Sequence, residues 1–432
     1  MVWSKYNYLF HSEKYGHLLY NSMSQFFIKI SDNDIDKIYR IKQNPNSDLN
    51  SEIQNLFLKN KIITENDDFD LAQHINNILI RRYNSSNMNL TILTTNLCNF
   101  CCSYCYEEGI NQTKMNKEVE SDILNFVKMN ENLKSLHIVW FGGEPLLNFE
   151  SIVNLTYEFL KLGINYQASM VTNAYLLTKE KAELFEELKI DTVQITLDGE
   201  EKYHNIRRPL KNGDKTFDTI ITNINSLLEI NKNVKVKIRT NLDKHSMDNY
   251  SKVYFTLNNL LKNNKQITYY PGFLHDQLGT GCVSSDIVCD SVEEKLDFYI
   301  DNYIKSGINL LNFLPKRQLH GCIANNNMGF VIDPSGDVYK CWSVMGHENY
   351  KIGNVHNPEK FSQSKIARFL CDTDYIFDDK CRECYFMPIC TGGCPLVRLI
   401  NKYENKNVDH CCMAKYNLDR YLELFYEQSL KK

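Results

Sequence analysis

Four cysteines fall within eight residues, Cys98, Cys101, Cys102 and Cys105, in the stretch TTNLCNFCCSYCY that runs from Thr94 to Tyr106. Two registers can be drawn through them, either Cys98-x3-Cys102-x2-Cys105 or Cys98-x2-Cys101 with a neighbour left over. A structural zinc site asks for four ligands in two separated pairs that close a tetrahedron. Three clustered thiolates instead suit an iron–sulfur cluster with one iron left open. The cysteines directly follow the strand-like run LTILTT. They therefore sit on a loop at the carboxyl end of a strand, where barrel and open-sheet enzymes place their chemistry.

The rest of the chain must position that loop. At 432 residues and 43% hydrophobic content it is long enough for two or three domains with their own cores. The formal net charge of −4 and the lack of a long lysine or arginine stripe argue against a nucleic-acid partner. No stretch approaches the ~20 apolar residues of a membrane span, and the opening MVWSKYNYLF lacks the pattern of a signal peptide. A cytoplasmic location is expected. Fifteen cysteines in a reducing compartment point to metal binding or redox chemistry, since a disulfide framework would not persist there.

Strand-like runs recur at LTILTT, LHIVWF, ASMVT, TVQITL, VKVKIRT and QITYY. Helical patterns lie between them, such as EVESDILNFVKM, SIVNLTYEFLKL, KEKAELFEELK and FDTIITNINSLLEI. A repeated βα pattern implies a parallel sheet with right-handed crossovers. After the second strand comes FGGEP, Phe141 to Pro145. Its two glycines permit close backbone approach, and Glu144 offers a carboxylate to an ammonium.

CNFCCSYC followed by Tyr106 resembles the CxxxCxxC motif of the radical S-adenosylmethionine (SAM) enzymes, and FGGEP resembles their GGEP motif. The resemblance implies that Cys98, Cys102 and Cys105 hold a [4Fe-4S] cluster whose fourth iron is chelated by SAM, with Cys101 a bystander. It implies an open partial (β/α)6 barrel, α/β in class, over residues 86–310. Tyr106, Gly142, Gly143 and Glu144 become SAM contacts. VTNAYLLT resembles the family's TNG segment, with Ala174 where glycine is usual, and offers Thr172 and Asn173. ITLDGEEKYHNIRRP resembles its SLDG...H...R segment and offers Arg207 for the SAM carboxylate, with Arg208 as competitor. No catalytic side chain beyond the cluster is implied.

Further on, Cys322 is followed by thirteen residues, Gly336, four more and Cys341. Then come Cys381-x2-Cys384-x5-Cys390-x3-Cys394 and the pair Cys411, Cys412. This resembles the seven-cysteine SPASM extension, here residues 311–432, and implies two auxiliary [4Fe-4S] clusters, three in all. By the resemblance Cys322, Cys341 and Cys394 hold one, with an open iron or a ligand from Cys282, Cys289 or Cys371. Cys381, Cys384, Cys390 and one of Cys411 or Cys412 hold the other.

Residues 1–85 carry no cysteine. Strand candidates YNYLF, HLLYN and FFIKI precede helical patterns at DNDIDKIYRIK, SEIQNLFLKN and DLAQHINNILIRRY. This small α+β, winged-helix-like order resembles the RiPP recognition element, which binds the leader of a ribosomally made peptide by strand addition. The resemblances together imply a peptide maturase that forms a thioether or another side-chain crosslink through a 5'-deoxyadenosyl radical. Its partners would be a precursor peptide and an electron donor such as flavodoxin or ferredoxin, with no nucleic acid and no membrane. An anaerobic sulfatase maturase is the nearest alternative, but that group usually places an aspartate directly after the second SPASM cysteine, where this chain has Trp342. A non-catalytic iron–sulfur carrier is an alternative of another class.

Overall fold

The six strand-like runs become six parallel strands, Asn87–Thr95, Ser135–Gly142, Asn165–Thr172, Ile190–Thr196, Lys235–Leu242 and Ile267–Phe273, paired side by side in chain order. The computed structural model describes the whole chain except residues 47–49, 106, 108–109, 277–286, 290, 311–315, 320 and 431–432. Alternation sets the faces of each strand. In Lys235–Leu242, Val236 and Ile238 are fully buried while Lys235 and Lys237 are exposed. The crossover helices follow the 3.6-residue period, so Phe217–Ile230 buries Phe217, Ile220, Ile224, Leu227 and Leu228 along one stripe. Another, Lys117–Lys128, starts where the Asn116 side chain accepts the Val119 amide at 3.0 Å. This is the open, partial barrel of the radical SAM fold.

The sheet does not end with the barrel. Gly329–Ile332 adds a parallel strand beside the first barrel strand, in register from Gly329 against Asn89 to Ile332 against Ile92. Antiparallel strands Asp337–Tyr339 and Gly353–Asn354 complete nine. The reversal at Asp333 to Gly336 is made by the Asp333 carboxylate, which accepts the amides of Ser335 and Asp337, and by Gly336 at φ +82°.

The three expected segments are grouped as two compact units. One comprises residues 84–310 and 327–367, the other residues 1–83, 311–326 and 368–432. The first half of the SPASM segment joins the barrel because its strands extend the barrel sheet.

In the second unit Asn7–Ser12, Gly16–Asn21 and Phe27–Ile30 form an antiparallel sheet in that order. Three helices follow, Ile35–Gln43, Ser51–Lys59 and Asp67–Arg82. One sheet face, with Leu9, Leu19, Ile28 and Ile30, packs on Ile38, Ile41 and Phe57 of the first two helices. The other face meets residues from the far end of the chain. Phe27 stacks on Phe425 at 5.1 Å, and Tyr8 bonds Asp419. The third helix buries Leu71 and Ile78 against Tyr375, Ile376 and Met387, each buried side chain contributing about 1.5–3 kcal/mol. Its Arg82 makes a buried ion pair with Asp374, which also accepts from Asn325 Nδ2 at 3.1 Å. The N-terminal segment and the second half of the SPASM segment therefore share one core.

Candidate functional site

The cysteine loop leaves the first barrel strand after Thr95 and is held along its length by residues 207–211. The Lys211 amide donates to the Asn99 carbonyl at 3.0 Å, Phe100 bridges Leu210, the Cys101 amide donates to the Pro209 carbonyl at 3.0 Å, and the Ser103 amide to the Arg207 carbonyl at 3.2 Å. Cys98 Sγ accepts the Phe100 amide at 3.4 Å. Burial pushes the Cys98 thiol up to about 12, with Glu144 and Cys102 adding to it. Cys105 rises to about 12 by burial, with Glu107, Cys102 and Cys98 adding. Cys102 is raised by burial too. The three expected ligands are thus half-buried neighbours that resist ionising together, a donor set whose thiolate form a metal cation would stabilise. Cys101 is exposed, with its amide tied to Pro209. Among the described residues no three Cys, His, Asp or Glu side chains converge tightly enough for a single metal ion. A four-iron cube seats each thiolate on a different iron and needs them further apart. Tyr106 lies outside the described residues.

The glycines of FGGEP serve a close approach of backbone to backbone. A Cβ on Gly142 would lie 2.2 Å from the Thr95 carbonyl oxygen, and one on Gly143 2.5 Å from that of Leu97. The Gly143 amide donates to Thr95 at 3.0 Å and the Glu144 amide to Leu97 at 2.9 Å, so the motif clamps the base of the cysteine loop. Fully buried Glu144 accepts the Leu146 amide at 3.0 Å, the Thr172 hydroxyl at 2.7 Å and the Asn173 amide at 2.7 Å. Burial raises its pKa against those bonds. Three of the roughly four lone-pair sites of a carboxylate are occupied, leaving one for a further donor such as an ammonium. Thr172 and Asn173 are therefore brought to Glu144, and Asn173 Nδ2 also donates to Asn99 Oδ1 at 2.8 Å within the cysteine loop. Ala174, in the usual glycine position, takes a left-handed φ of +62°.

The two arginines are held differently. Arg207 Nη1 donates to the Tyr203 hydroxyl at 3.0 Å, the Asn241 carbonyl at 3.2 Å and Asp243 Oδ2 at 3.2 Å, while its Nε lies 3.7 Å from Asp198. Arg208 Nη1 donates to the Tyr104 hydroxyl at 2.7 Å, and its guanidinium lies over Phe100 at 5.7 Å. Tyr104 in turn donates to Asp198 and accepts from Asn241 Nδ2 at 3.0 Å. The Asp198 amide donates to His204 Nδ1, and burial lowers that imidazole to about 3. Sequence reasoning missed Tyr104, Asp198 and Asn241 as the anchor of the loop. The available signal was Tyr104 standing between two ligand cysteines.

In the second unit the structure brings Cys381, Cys384, Cys390 and Cys412 together. A hydrogen bond from the Cys412 thiol is the main cause that lowers Cys390 to about 6, and Cys412 rises in consequence, with Cys384 a further charged neighbour. Cys381 is a neighbour of Cys390. Its Sγ accepts from Arg398 Nη1 at 3.6 Å. Cys411 instead accepts from Lys415 Nζ at 3.4 Å. The paired glycines before Cys394 let this loop approach the 410–412 segment, since a Cβ on Gly393 would lie 1.9 Å from the His410 carbonyl oxygen. Cys394 immediately precedes the helix Pro395–Tyr403, and Cys322 is exposed. Cys341, in the barrel unit, is buried. Of the spare cysteines, Cys289 is buried against Met247 Sδ at 3.6 Å, Cys371 lies 3.3 Å from the Tyr83 hydroxyl, and Cys282 lies outside the described residues. Trp342 stacks parallel on Phe141 at 5.8 Å and stays 43% exposed.

Residues 92–252 match the radical SAM superfamily. The chain carries a radical SAM domain and is an enzyme. It is 25% identical to the cysteine-type anaerobic sulfatase-maturating enzyme of Clostridium novyi over 78% of this chain and 93% of that protein. It is 22% identical to the radical SAM cyclopropyl synthase TigE of Paramaledivibacter caminithermalis, over 73% and 69%. Among solved structures, anSMEcpe with bound AdoMet shares the fold at TM-score 0.59 and 19% identity over 79% of this chain and 94% of that one. SuiB of Streptococcus suis bound to S-adenosylmethionine shares it at TM-score 0.53 and 18% identity over 92% and 96%. A radical SAM domain implies a [4Fe-4S] cluster and SAM, and the half-buried thiol trio fits that cluster. Among the described residues no helix is long and apolar enough to cross a membrane.

Proposed function

We propose that the enzyme is a SPASM-type peptide maturase that installs a radical-derived crosslink, a thioether in the leading case, on a ribosomally made precursor peptide. Cys98, Cys102 and Cys105 would hold the cluster, which with SAM would supply 5'-deoxyadenosyl radical chemistry, that is, hydrogen-atom abstraction from the peptide. The chain's own residues hold Cys98, Cys102 and Cys105 on the loop after the first barrel strand and keep Glu144 buried at the base of that loop. Cys381, Cys384, Cys390 and Cys412 are the proposed ligands of one auxiliary cluster. Cys322, Cys341 and Cys394 are those of another on their spacing alone. An electron donor such as flavodoxin or ferredoxin and a cytoplasmic setting complete the reading.

One observation carries the peptide substrate, the free edge of strand Phe27–Ile30. Both faces of its sheet are covered, and among the described residues it pairs with Gly16–Asn21 alone. The Asn21 amide donates to the Phe26 carbonyl, and the register then alternates through Leu19 against Ile28. The amides of Phe27 and Lys29 consequently point to the outer edge. That edge fits an added leader strand. SuiB, whose fold spans 92% of this chain, is also recorded bound to its precursor peptide SuiA.

Lys29→Pro removes one outward donor without breaking the inner ladder. It is expected to weaken leader binding about tenfold while SAM cleavage without peptide persists, whereas Lys29→Ala binds as the native chain does. Equal leader affinity in all three proteins, measured by fluorescence anisotropy, would remove the edge as the peptide site.

A second reading, sulfatase maturation, is favoured by the C. novyi relative. Trp342 weighs against it, because a stacked indole cannot act as the base expected there. Turnover of a sulfatase-derived cysteine peptide by the native enzyme would establish that reading instead.

A further inference from the structure

The geometry points to Arg208 as a residue that tunes the reduction potential of the barrel cluster, by placing a buried positive charge against the middle ligand, Cys102. This rests on the radical SAM reading of Cys98, Cys102 and Cys105 and goes beyond it. Arg208 touches both residues that flank Cys102 at a distance of two. Its guanidinium lies over the Phe100 ring, and its Nη1 donates to the Tyr104 hydroxyl. The carbonyls of Arg207 and Pro209 on either side accept the amides of Ser103 and Cys101, so the chain around Arg208 runs beside Cys102 itself.

The guanidinium is buried, yet among the described residues it has no direct carboxylate partner. Asp198 reaches it through Tyr104 and pairs with Arg207 instead. Its Nε is a buried donor with no partner among the described residues. A buried, unpaired N–H is costly unless something accepts it, and a thiolate-bound cluster beside this loop is the acceptor the position fits. A fixed cation near a cluster stabilises its one-electron-reduced, more negative form, and a hydrogen bond to its sulfur acts in the same direction.

The test compares the anaerobically reconstituted full-length native enzyme with R208Q and R208K, using redox titration followed by electron paramagnetic resonance. The signal that changes on adding SAM identifies the barrel cluster. R208Q is expected to shift the reduction equilibrium at least about tenfold toward the oxidised form, ~59 mV lower for one electron, at equal iron content. R208K keeps the charge and is expected to stay within about threefold of native. An unchanged midpoint in iron-loaded R208Q overturns the proposal. If R208Q cannot hold the cluster while R208K can, the charge is required even for assembly and the proposal stands. If both lose it, the arginine acts by shape and the proposal fails. A native protein that shows no SAM-responsive signal would instead defeat the radical SAM reading of the cysteines.

Discussion

The barrel loop and the C-terminal loop both gather cysteines beside a buried arginine, and they treat that arginine in opposite ways. Each of the three nitrogens of Arg398 has an acceptor. Its Nε donates to the Thr373 carbonyl at 2.6 Å, its Nη2 to Asp378 Oδ2 at 2.6 Å, and its Nη1 to Cys381 Sγ. Its charge is cancelled by the carboxylate it touches. Arg208 meets a neutral hydroxyl and keeps an orphan N–H. The proposed ligand count differs in the same sense, three thiols at the barrel and four at the C-terminal loop. Four thiolates close a cluster, whereas three leave an iron for another ligand. An exchanging site needs a field that can act on its chemistry. A closed site needs only a rigid frame.

The largest expected effect breaks this comparison at its root. Changing Cys98, Cys102 and Cys105 together to Ala should abolish SAM cleavage and remove about four of about twelve irons per chain, leaving the auxiliary clusters. Cys412→Ala should lower iron by a similar amount, while Cys411→Ala should not. Iron analysis and 5'-deoxyadenosine release check both. Native iron near four would sink the auxiliary clusters, and Cys101→Ala as damaging as the triple change would overturn the ligand assignment.

Next in size is the frame of the closed site. Arg398→Gln leaves Asp378 without its cation and breaks the bond to Thr373. The expected cost is about 2–4 kcal/mol of stability, read by denaturant unfolding. Wild-type stability in that variant would mean that the network does not frame the loop.

Among the described residues each unit also buries one neutral imidazole, which gives a pH dependence of definite sign. Burial lowers His204 to about 3, and burial with Arg317 lowers His74 to about 4, both from an ordinary 6.5. Above 6.5 both rings are neutral folded or unfolded, and nothing is lost. Below it the unfolded chain takes up protons that the folded chain refuses. Stability therefore falls as pH drops from 6.5 toward the folded values, by about 2 kcal/mol per histidine at pH 5. His204→Gln can still accept the Asp198 amide and should melt with a shallower pH slope than the parent. Comparing the two proteins in the same buffers cancels the effect of acid on the clusters, and parallel slopes would exclude His204 as a contributor.

Much of this was legible from periodicity. All six barrel strands and the three main strands and three helices of the N-terminus lie where alternation and the 3.6-residue pattern put them, while the short antiparallel pair Val2–Trp3 and Ile63–Thr64, too brief to show a period, was not read. The division into units was not. Local patterns cannot show that Leu71 and Ile78 pack on Tyr375 and Ile376, or that Gly329–Ile332 pairs with the first barrel strand, because those contacts join residues hundreds apart. One consequence is practical. Deleting residues 1–85 while leaving the C-terminal cysteines folded looks feasible from sequence, yet it would strip the core that those residues share with residues 368–432. At the site, residue types were legible and their roles were less so. Glu144 reads as a ligand contact from its motif, but in the fold it first joins two strand ends. Arg207 and Arg208 are adjacent and alike in sequence, and only their partners separate them.

The smallest expected effect concerns Ala174, where the resembling segment has glycine. Its φ of +62° is held from both sides, because its amide donates to the Thr172 hydroxyl at 2.9 Å and its carbonyl accepts Asn223 Nδ2 at 2.9 Å. An alanine in this left-handed region is strained by about 1–2 kcal/mol, which glycine would relieve. Glycine would also give up a fully buried methyl, about 0.8 kcal/mol, and make the unfolded chain more flexible, about 0.4–1 kcal/mol. The terms nearly cancel, so Ala174→Gly should change stability by less than about 1 kcal/mol, which is why alanine suffices. Ala174→Val has no such balance. A β-branched side chain at positive φ clashes with its own backbone, and the cost should exceed that of the glycine variant by about 2 kcal/mol or more. Thermal melts of the two variants beside the parent test this, and a valine variant as stable as the glycine one would show that the strand end relaxes out of the left-handed turn.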